Sequence, residues 1–336
     1  MNERLDLSAT APRPTPALTP TLTLTVSSKR EIAHGITLFE LAAADGGALP
    51  PFEAGAHLAV TTPNGLLRRY SLCNPPSERQ RYVIAVKRDE QGGGGSRSMV
   101  DELAPGSVLM AAPPENYFPL ARGARRHLLI AGGIGITPLL SMVHELRARG
   151  EEFELVYVSR FPESTAFLDE LAAPELAGRV RIHHSHGDPS RALAIEPLLA
   201  EHTEGSHVYC CGPRRLMQAV REAARHWPAG SVHLEDFGTS EDPKAGGDQL
   251  FSVRLERSGI TVAVPPGTSI LEAIRSRGVE APSSCESGTC GTCRTRLLAG
   301  KAEHRDYVLD DDEHDTDIMI CVSRAQAGCG QLVLDL

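Results

Sequence analysis

Apolar and polar positions change their rhythm twice along this chain. Over residues 21–112, short segments at 21–26, 57–61, 66–72, 81–87 and 108–111 alternate between apolar and polar side chains, with Gly and Pro clusters between them. Closely spaced period-two strands with turn chemistry predict an antiparallel barrel or sandwich. Over 119–237, apolar runs at 127–131, 153–158, 180–183, 207–210 and 232–234 alternate with helical stretches. That alternation predicts a parallel sheet wound by helices. Residues 238–248, GTSEDPKAGGD, have no apolar period and read as a flexible tether. Beyond it, 250–255 and 260–264 form a hairpin pattern turning at Ser258-Gly259, and 269–275 a short helix.

Composition narrows the class. A chain of 336 residues is long enough for two or three cores. No stretch approaches the ~18 consecutive apolar residues of a membrane span. Residues 1–20 are rich in Thr, Pro and Ala and lack the basic start and apolar block of a secretory signal, so they read as a disordered leader on a cytoplasmic protein. The net charge of −9 disfavours nucleic acid as a partner. From residue 241 onward there are sixteen acidic and ten basic residues, which puts −6 of that charge in the smallest unit.

The eight cysteines, in a chain with no export signal, read as metal ligands or reduced thiols rather than disulfides. Cys285, Cys290, Cys293 and Cys321 have the C-x4-C-x2-C…C spacing of plant-type [2Fe–2S] ferredoxins. Such a cluster needs a tight loop whose backbone N–H groups can face the sulfurs, and Ser287, Gly288, Thr289 and Gly291 suit one. Structural zinc usually takes two paired CxxC turns, and only one is present. Cys73, Cys210 and Cys329 lie outside the pattern and read as small hydrophobes.

Two further regions carry nucleotide-binding chemistry. Arg68, Tyr70 and Ser71 close a predicted strand with a cation, an aromatic ring and a hydroxyl, a set able to pair a phosphate, cover a planar ring and bond its edge. Alternatively they are a solvated barrel face. The strand before Gly92–Ser96 runs into consecutive glycines whose N–H groups can cradle a phosphate, or which form a plain hairpin loop. In 127–143, HLLIAGGIGITPLLSMV, a strand, a glycine turn and a helix follow one another. Thr137 reads as the N-cap and Pro138 as first-turn, so Gly132, Gly133 and Gly135 could bring a pyrophosphate to the helix N-terminus. Cys211-Gly212-Pro213 ends another strand at the carboxyl edge of the same sheet, where open α/β folds bind ligands.

Together RxYS, GGS, GGIGITP, CGP and the cysteine spacing, in that order, resemble the phthalate dioxygenase reductase and vanillate demethylase reductase family of the ferredoxin–NADP reductase superfamily. The resemblance implies an FMN-binding antiparallel β-barrel over 21–118, an NAD-binding α/β domain over 119–237, a linker over 238–248 and an α+β ferredoxin domain of β-grasp type over 249–336. It implies FMN contacts from Arg68, Tyr70, Ser71, Val86, Lys87, Gly94, Gly95, Ser96 and Phe237. Where the family often has a basic residue before GGS, this chain has Gly93. NAD contacts would come from Gly132, Gly133, Gly135, Thr137, Pro138, Arg160, Gly212 and Pro213. Cys211 and Glu235 either line the hydride site or pack the core. The implied activity is that of a monomeric, NADH-dependent reductase passing electrons through FMN and a [2Fe–2S] cluster to a terminal oxygenase. A reductase serving a haem monooxygenase and a redox sensor are the alternatives. NADH is preferred by resemblance, since only Arg160 stands where a 2′-phosphate would want several basic residues.

Overall fold

The computed structural model of the protein describes residues 22–237 and 248–336. The expected leader and all but the last residue of the expected tether lie outside the described residues. The chain divides into two units, one holding residues 22–237 and the other 248–336.

Six strands build the first part: β1 (Leu22–Ala33), β2 (Ile36–Ala43), β3 (His57–Thr61), β4 (Leu67–Ser71), β5 (Tyr82–Lys87) and β6 (Val108–Ala111). They run in the order β4-β3-β6-β1-β2-β5, and a bridge from Leu72 to Ile84 brings the two edges together into a barrel. The sequence pattern missed β2, for a physical reason. Ile36 and Leu38 pack outward against the α/β part, while Phe39 and Leu41 pack into the barrel, so the strand is buried on both faces and shows no alternation. On β5 the split is regular. Tyr82, Ile84 and Val86 fill the barrel, and Val83 and Ala85 face the neighbouring core. Each such fully buried aliphatic side chain contributes about 1.5–3 kcal/mol.

The second part is the expected all-parallel sheet, with β7 (Arg126–Gly132), β8 (Glu152–Ser159), β9 (Val180–His184), β10 (Ser206–Cys211) and β11 (Val232–Glu235) in the order β11-β10-β7-β8-β9. The helix Ile136–Arg149 follows β7 and lays Leu139, Leu140, Val143 and Leu146 into a core that also contains Ile36, Leu38, Val83 and Ala85 of the barrel. The two sheets therefore share one core.

On one face of this sheet the rings of His207, His233, Tyr209 and His127 lie in contact. Tyr209 and His233 stack at 4.5 Å, and His207 Nδ1 meets His233 Nε2 at 3.0 Å. Burial disfavours the charged imidazolium and pulls His233 down to about 4 from an ordinary 6.5; His127 and His207 shift the same way.

The second unit is an α+β fold. It contains β12 (Phe251–Leu255), β13 (Ile260–Val264), β14 (Arg294–Ala299), β15 (Ala302–Glu303), β16 (Asp317–Met319), β17 (Arg324–Ala325) and β18 (Gln331–Leu334). The main sheet has the order β13-β12-β18-β14-β16, with β12 parallel to β18. The helix Ile270–Ser276 starts at a capping box in which Ser269 and Glu272 satisfy each other's backbone N–H. Asp248, placed by its sequence context at the end of the tether, is built into this unit. Its carboxylate bonds Arg305 at 2.8 Å and Arg324 at 3.2 Å. The Arg324 guanidinium also donates to the carbonyls of Thr268, Gln249 and Pro265 and lies over the Phe251 ring. Removing Asp248 would leave the buried Arg324 charge without its carboxylate, at a cost of roughly 3–5 kcal/mol.

The histidine stack makes the first unit acid-labile. Between about pH 6.5 and 4 the unfolded chain binds a proton at His233 that the folded chain refuses, so stability is present above 6.5 and is lost as pH falls. Trp227, the single tryptophan, sits in this unit with its Nε1 donating to Leu199 O, and its fluorescence reports unfolding. We expect the urea midpoint followed by Trp227 to fall from about pH 6.5 to about 4.5, and His233→Phe, which keeps a ring on Tyr209, to flatten that fall. A flat wild-type profile across this window would contradict the assignment.

Candidate functional site

In the barrel, the sequence places Arg68, Tyr70 and Ser71 at the end of β4 and the structure brings the glycine loop to them. A Cβ on Gly95 would stand 3.0 Å from the Arg68 side chain, and one on Gly93 would stand 3.1 Å from Arg68 Nη2, so the guanidinium lies along the glycines. Gly94, left-handed at φ 87, opens a helix absent from the sequence reading, Gly95–Glu102, whose N-terminus has no side-chain cap. Its backbone partial positive charge and the Arg68 guanidinium together form an anion site. Ser96 Oγ accepts from Asp89 N–H at 3.0 Å, which leaves its own proton to donate elsewhere.

A cavity of about 270 Å³ at this helix start is lined by Asn64, Arg88, Gly94, Arg97, Ser98, Asp101 and Glu102. Arg97, three residues after Gly94 on the first turn of the helix, brings a basic side chain to this cavity that the sequence pattern did not single out. Arg88 is bound to Asp101 by two hydrogen bonds.

The Tyr70 hydroxyl and Ser71 Oγ are buried and have no hydrogen-bond partner. Two such hydroxyls on the strand that carries Arg68 fit the polar edge of a flavin. Burial raises Tyr70 to about 12, so it stays a donor. Val86, expected beside the ring, turns its side chain into the barrel. Its side chain is fully buried in the barrel core, so only its backbone can face a ligand. Lys87 is exposed. Phe237 follows β11, outside the three cores, and is 39% exposed.

In the parallel sheet, two motifs from distant parts of the sequence dock on each other. A Cβ on Gly135 would lie 2.2 Å from the Cys211 carbonyl oxygen, and one on Gly132 would collide with Pro213 and Leu216. These glycines are required by backbone contact within the fold. Gly133, at φ 55 with nothing within 4 Å, is the one that leaves open space. Thr137 is not the N-cap. It lies one residue inside the helix, buried, and its Oγ1 donates to Ile134 O at 3.0 Å because a short 3-10 turn, Gly133–Gly135, carries the chain into the helix. Pro138 occupies the first turn as expected.

Gly212 abuts Gly132, and Pro213 precedes the helix Arg214–Ala223. Cys211 pairs in register with Glu235. Burial, and then the Glu235 charge, push its thiol far up, so it is neutral and unsuited to nucleophilic work. Arg160 is exposed beyond β8, and its carbonyl accepts from His186 N–H at 2.7 Å. His184 and His186 are edge-on at this end, a feature the sequence reading passed over.

In the C-terminal unit, the four cysteines fall into two pairs. Cys285 N–H donates to Cys290 Sγ at 3.4 Å, Ser287 N–H donates to Cys285 Sγ at 3.4 Å, and Thr292 Oγ1 lies 3.3 Å from Cys290 Sγ. Cys293 and Cys321 are brought together by strand register. β14 and β16 pair Arg294 with Met319, so the residue before one strand meets the residue two beyond the other, with Sγ atoms 3.0 Å apart. Within each pair a hydrogen bond from the partner pulls one thiol down, from Cys290 onto Cys285 and from Cys321 onto Cys293. Among the described residues no three Cys, His, Asp or Glu side chains enclose a single ion. Two thiols to each of two irons is the arrangement this donor set fits, whereas a tetrahedral zinc would need all four around one point. All eight cysteines are free; Cys73 and Cys210 are core residues, whereas Cys329 is half-buried.

Comparison with known proteins agrees with this geometry. Residues 253–326 match the 2Fe-2S iron-sulfur cluster binding domain, and residues 108–230 match the N-terminal domain of dimethylamine monooxygenase subunit DmmA-like proteins. The chain is 52% identical over 316 residues to the phthalate dioxygenase reductase of Burkholderia cepacia, covering 94% of this chain and 97% of the relative. It is 40% identical to a vanillate O-demethylase oxidoreductase of Pseudomonas sp. (strain HR199 / DSM 7063), covering 93% and 98%. A solved phthalate dioxygenase reductase, described as a modular structure for electron transfer from pyridine nucleotides to [2Fe-2S], aligns with TM-score 0.72 at 52% identity and covers 94% of this chain and 98% of its own. With its barrel, parallel sheet and iron–sulfur unit in that order, the chain belongs to the phthalate dioxygenase reductase family.

Proposed function

We propose that this protein is the monomeric, cytoplasmic reductase component of a Rieske-type aromatic-ring dioxygenase or O-demethylase system, taking electrons from NADH through FMN and a [2Fe–2S] cluster to the terminal oxygenase. The observation that carries the reading is the two-by-two convergence of Cys285 with Cys290 and Cys293 with Cys321. Free cysteines throughout accord with a reducing compartment, and among the described residues no helix is long and apolar enough to cross a membrane.

A bound flavin would supply a two-electron hydride acceptor able to give up its electrons one at a time, with the proton passing to solvent, and a [2Fe–2S] cluster would supply a one-electron carrier. The chain's part is binding and orientation. Arg68, Arg97 and the N-terminus of Gly95–Glu102 would hold the FMN phosphate, with Ser96 donating. The Tyr70 and Ser71 hydroxyls would bond the ring edge, Lys87 and the Val86 backbone would flank it, and Phe237 would cover it. The turn at Gly133, with Pro138 and Gly212-Pro213 behind it, would receive the dinucleotide, and Arg160 its adenosine end. Neither Cys211 nor Glu235 is asked to move a proton.

Steady NADH-driven reduction of cytochrome c separates this reading from a redox sensor. Cys290→Ser should lose the iron–sulfur absorption and cytochrome c reduction but keep flavin and NADH–ferricyanide activity. Cys329→Ser should lose none of them. A full cluster in Cys290→Ser would overturn the ligand assignment.

Arg97→Ala removes a charge-assisted contact of about 1.5–3 kcal/mol, so FMN affinity measured by equilibrium dialysis should fall roughly ten- to a hundredfold. Unchanged affinity would place the phosphate elsewhere.

The acidic segment 310–317 begins two residues beyond Val308, which lies beside Gly291 of the cysteine loop. Glu313 and Asp317 are both paired with Arg294, while Asp310, Asp311, Asp312 and Asp315 are exposed. Such a surface steers toward a basic patch on the oxygenase, and salt screens it over a Debye length of about 8 Å. Electron delivery to the oxygenase should slow with salt, NADH oxidation by a neutral quinone should not, and the Asp311→Asn/Asp312→Asn variant should show a shallower salt slope. Identical slopes for wild type and variant would reduce this charge to a role in solubility.

A further inference from the structure

Glu286 directly follows the ligand Cys285 and stands in the left-handed region at φ 56. Side chains other than Gly, Asn and Asp rarely adopt that conformation, because Cβ crowds the carbonyl oxygen. Gly288 and Gly291 in the same loop are also left-handed, and they carry the residue type suited to it. A glutamate at such a position needs something to hold it. Its Oε1 accepts from Arg275 Nη1 at 2.8 Å and from Ser283 Oγ at 3.0 Å, and Arg275 Nη2 also contacts Ser283 Oγ. The three side chains close a triangle across the segment that contains Cys285 in sequence, anchored on the last turn of the helix Ile270–Ser276.

The left-handed turn has a consequence at the sulfur. It swings the next peptide back, so that Ser287 N–H points at Cys285 Sγ. A residue in an ordinary conformation at 286 would turn that N–H away. The far side of the loop is held independently, by Tyr307 N–H donating to Gly288 O at 2.9 Å, and by the absence of a Cβ on Gly288, which would meet Val322 at 2.8 Å. On the Cys285 side the turn itself is held by the side chains of Arg275, Ser283 and Glu286. Arg275 and Glu286 are 26% and 34% exposed, and an ion pair so open to water adds little to global stability, so its effect is local.

We propose that Arg275, Ser283 and Glu286 are positioning residues for the iron–sulfur centre, holding position 286 left-handed so that a backbone N–H stays on the Cys285 sulfur. The inference rests on the reading that the four cysteines hold a [2Fe–2S] cluster. Hydrogen bonds to ligand sulfur set both cluster potential and retention, and loss of such outer contacts commonly costs ten- to a hundredfold in metal affinity.

The test uses the purified holoprotein and two readouts, the cluster midpoint potential by optical titration and the rate of bleaching by a strong iron chelator. Arg275→Met should bleach roughly tenfold faster than wild type and have a more negative potential. Glycine adopts the left-handed conformation unaided. Glu286→Gly should therefore retain near-wild-type values, and Arg275→Met in the Glu286→Gly background should add no further loss. Wild-type rate and potential in Arg275→Met would overturn the proposal. So would a Glu286→Gly protein that bleaches roughly tenfold faster than wild type, a comparison with wild type that remains available if Arg275→Met does not accumulate. Wild-type protein without two irons and two acid-labile sulfides per chain would instead sink the cluster reading itself.

Discussion

The apolar seam between the outer wall of the barrel and the helix Ile136–Arg149 is the contact on which the first unit's function depends. Strands β2 and β5 each present one face to the barrel interior and the other to this seam, so the barrel cannot shift without exposing both. A polar tie lies within it. Ser141, buried on the helix, donates to the carbonyl of Asn74, and Asn74 in turn accepts from Val83 N–H and donates to Arg81 O. Asn74 ends the segment that begins at Arg68, and Ser141 belongs to the helix that begins at the glycine turn. The Ser141–Asn74 bond thus ties the segment that carries Tyr70 and Ser71 to the helix that follows the Gly133 turn. Hydride transfer requires two planar groups in contact, and a shared core is how two sheets can hold them to a fixed geometry.

Glycines in this protein serve the fold and the ligand at different positions. Gly132, Gly135 and Gly212 have no room for a Cβ because two backbone turns press together, and that contact locks the carboxyl ends of β7 and β10 side by side. Gly133 and Gly94 are left-handed; a Cβ on Gly133 would meet nothing within 4 Å, whereas one on Gly94 would meet the Asn64 and Arg97 side chains. A substitution at the first group would fail on backbone contact and at the second on backbone strain. Sequence motifs that combine both groups cannot be divided without coordinates.

Charge is organised in a similar way. The C-terminal unit carries −6 from residue 241 onward, yet its arginines are absorbed into local structure: Arg324 and Arg305 around Asp248, Arg294 on Glu313 and Asp317, and Arg275 on Glu286. The acidic residues left over are concentrated at 310–315. An excess of negative charge spread over the sequence thereby becomes a local field, and a local field is what can orient an approaching protein.

Much of this was legible in the sequence because it depends on local period and spacing. Alternation of apolar residues located most barrel strands, their pairing with helical stretches located the parallel sheet, and three cysteines within nine residues announced the metal loop. The elements that escaped are those whose signal comes from a distant neighbour. Strand β2 has no alternation because two different cores cover its two faces. Arg97 becomes a phosphate candidate only once Gly95–Glu102 is a helix. The pairing of Cys293 with Cys321 depends on the register of β14 against β16, and the left-handed Glu286 on an arginine eleven residues earlier. Residue type and spacing determined which chemistry the chain can perform. Tertiary structure decided which atoms are left unpaired to perform it, because burial and hydrogen-bond satisfaction are properties of contacts between segments and not of the segments themselves.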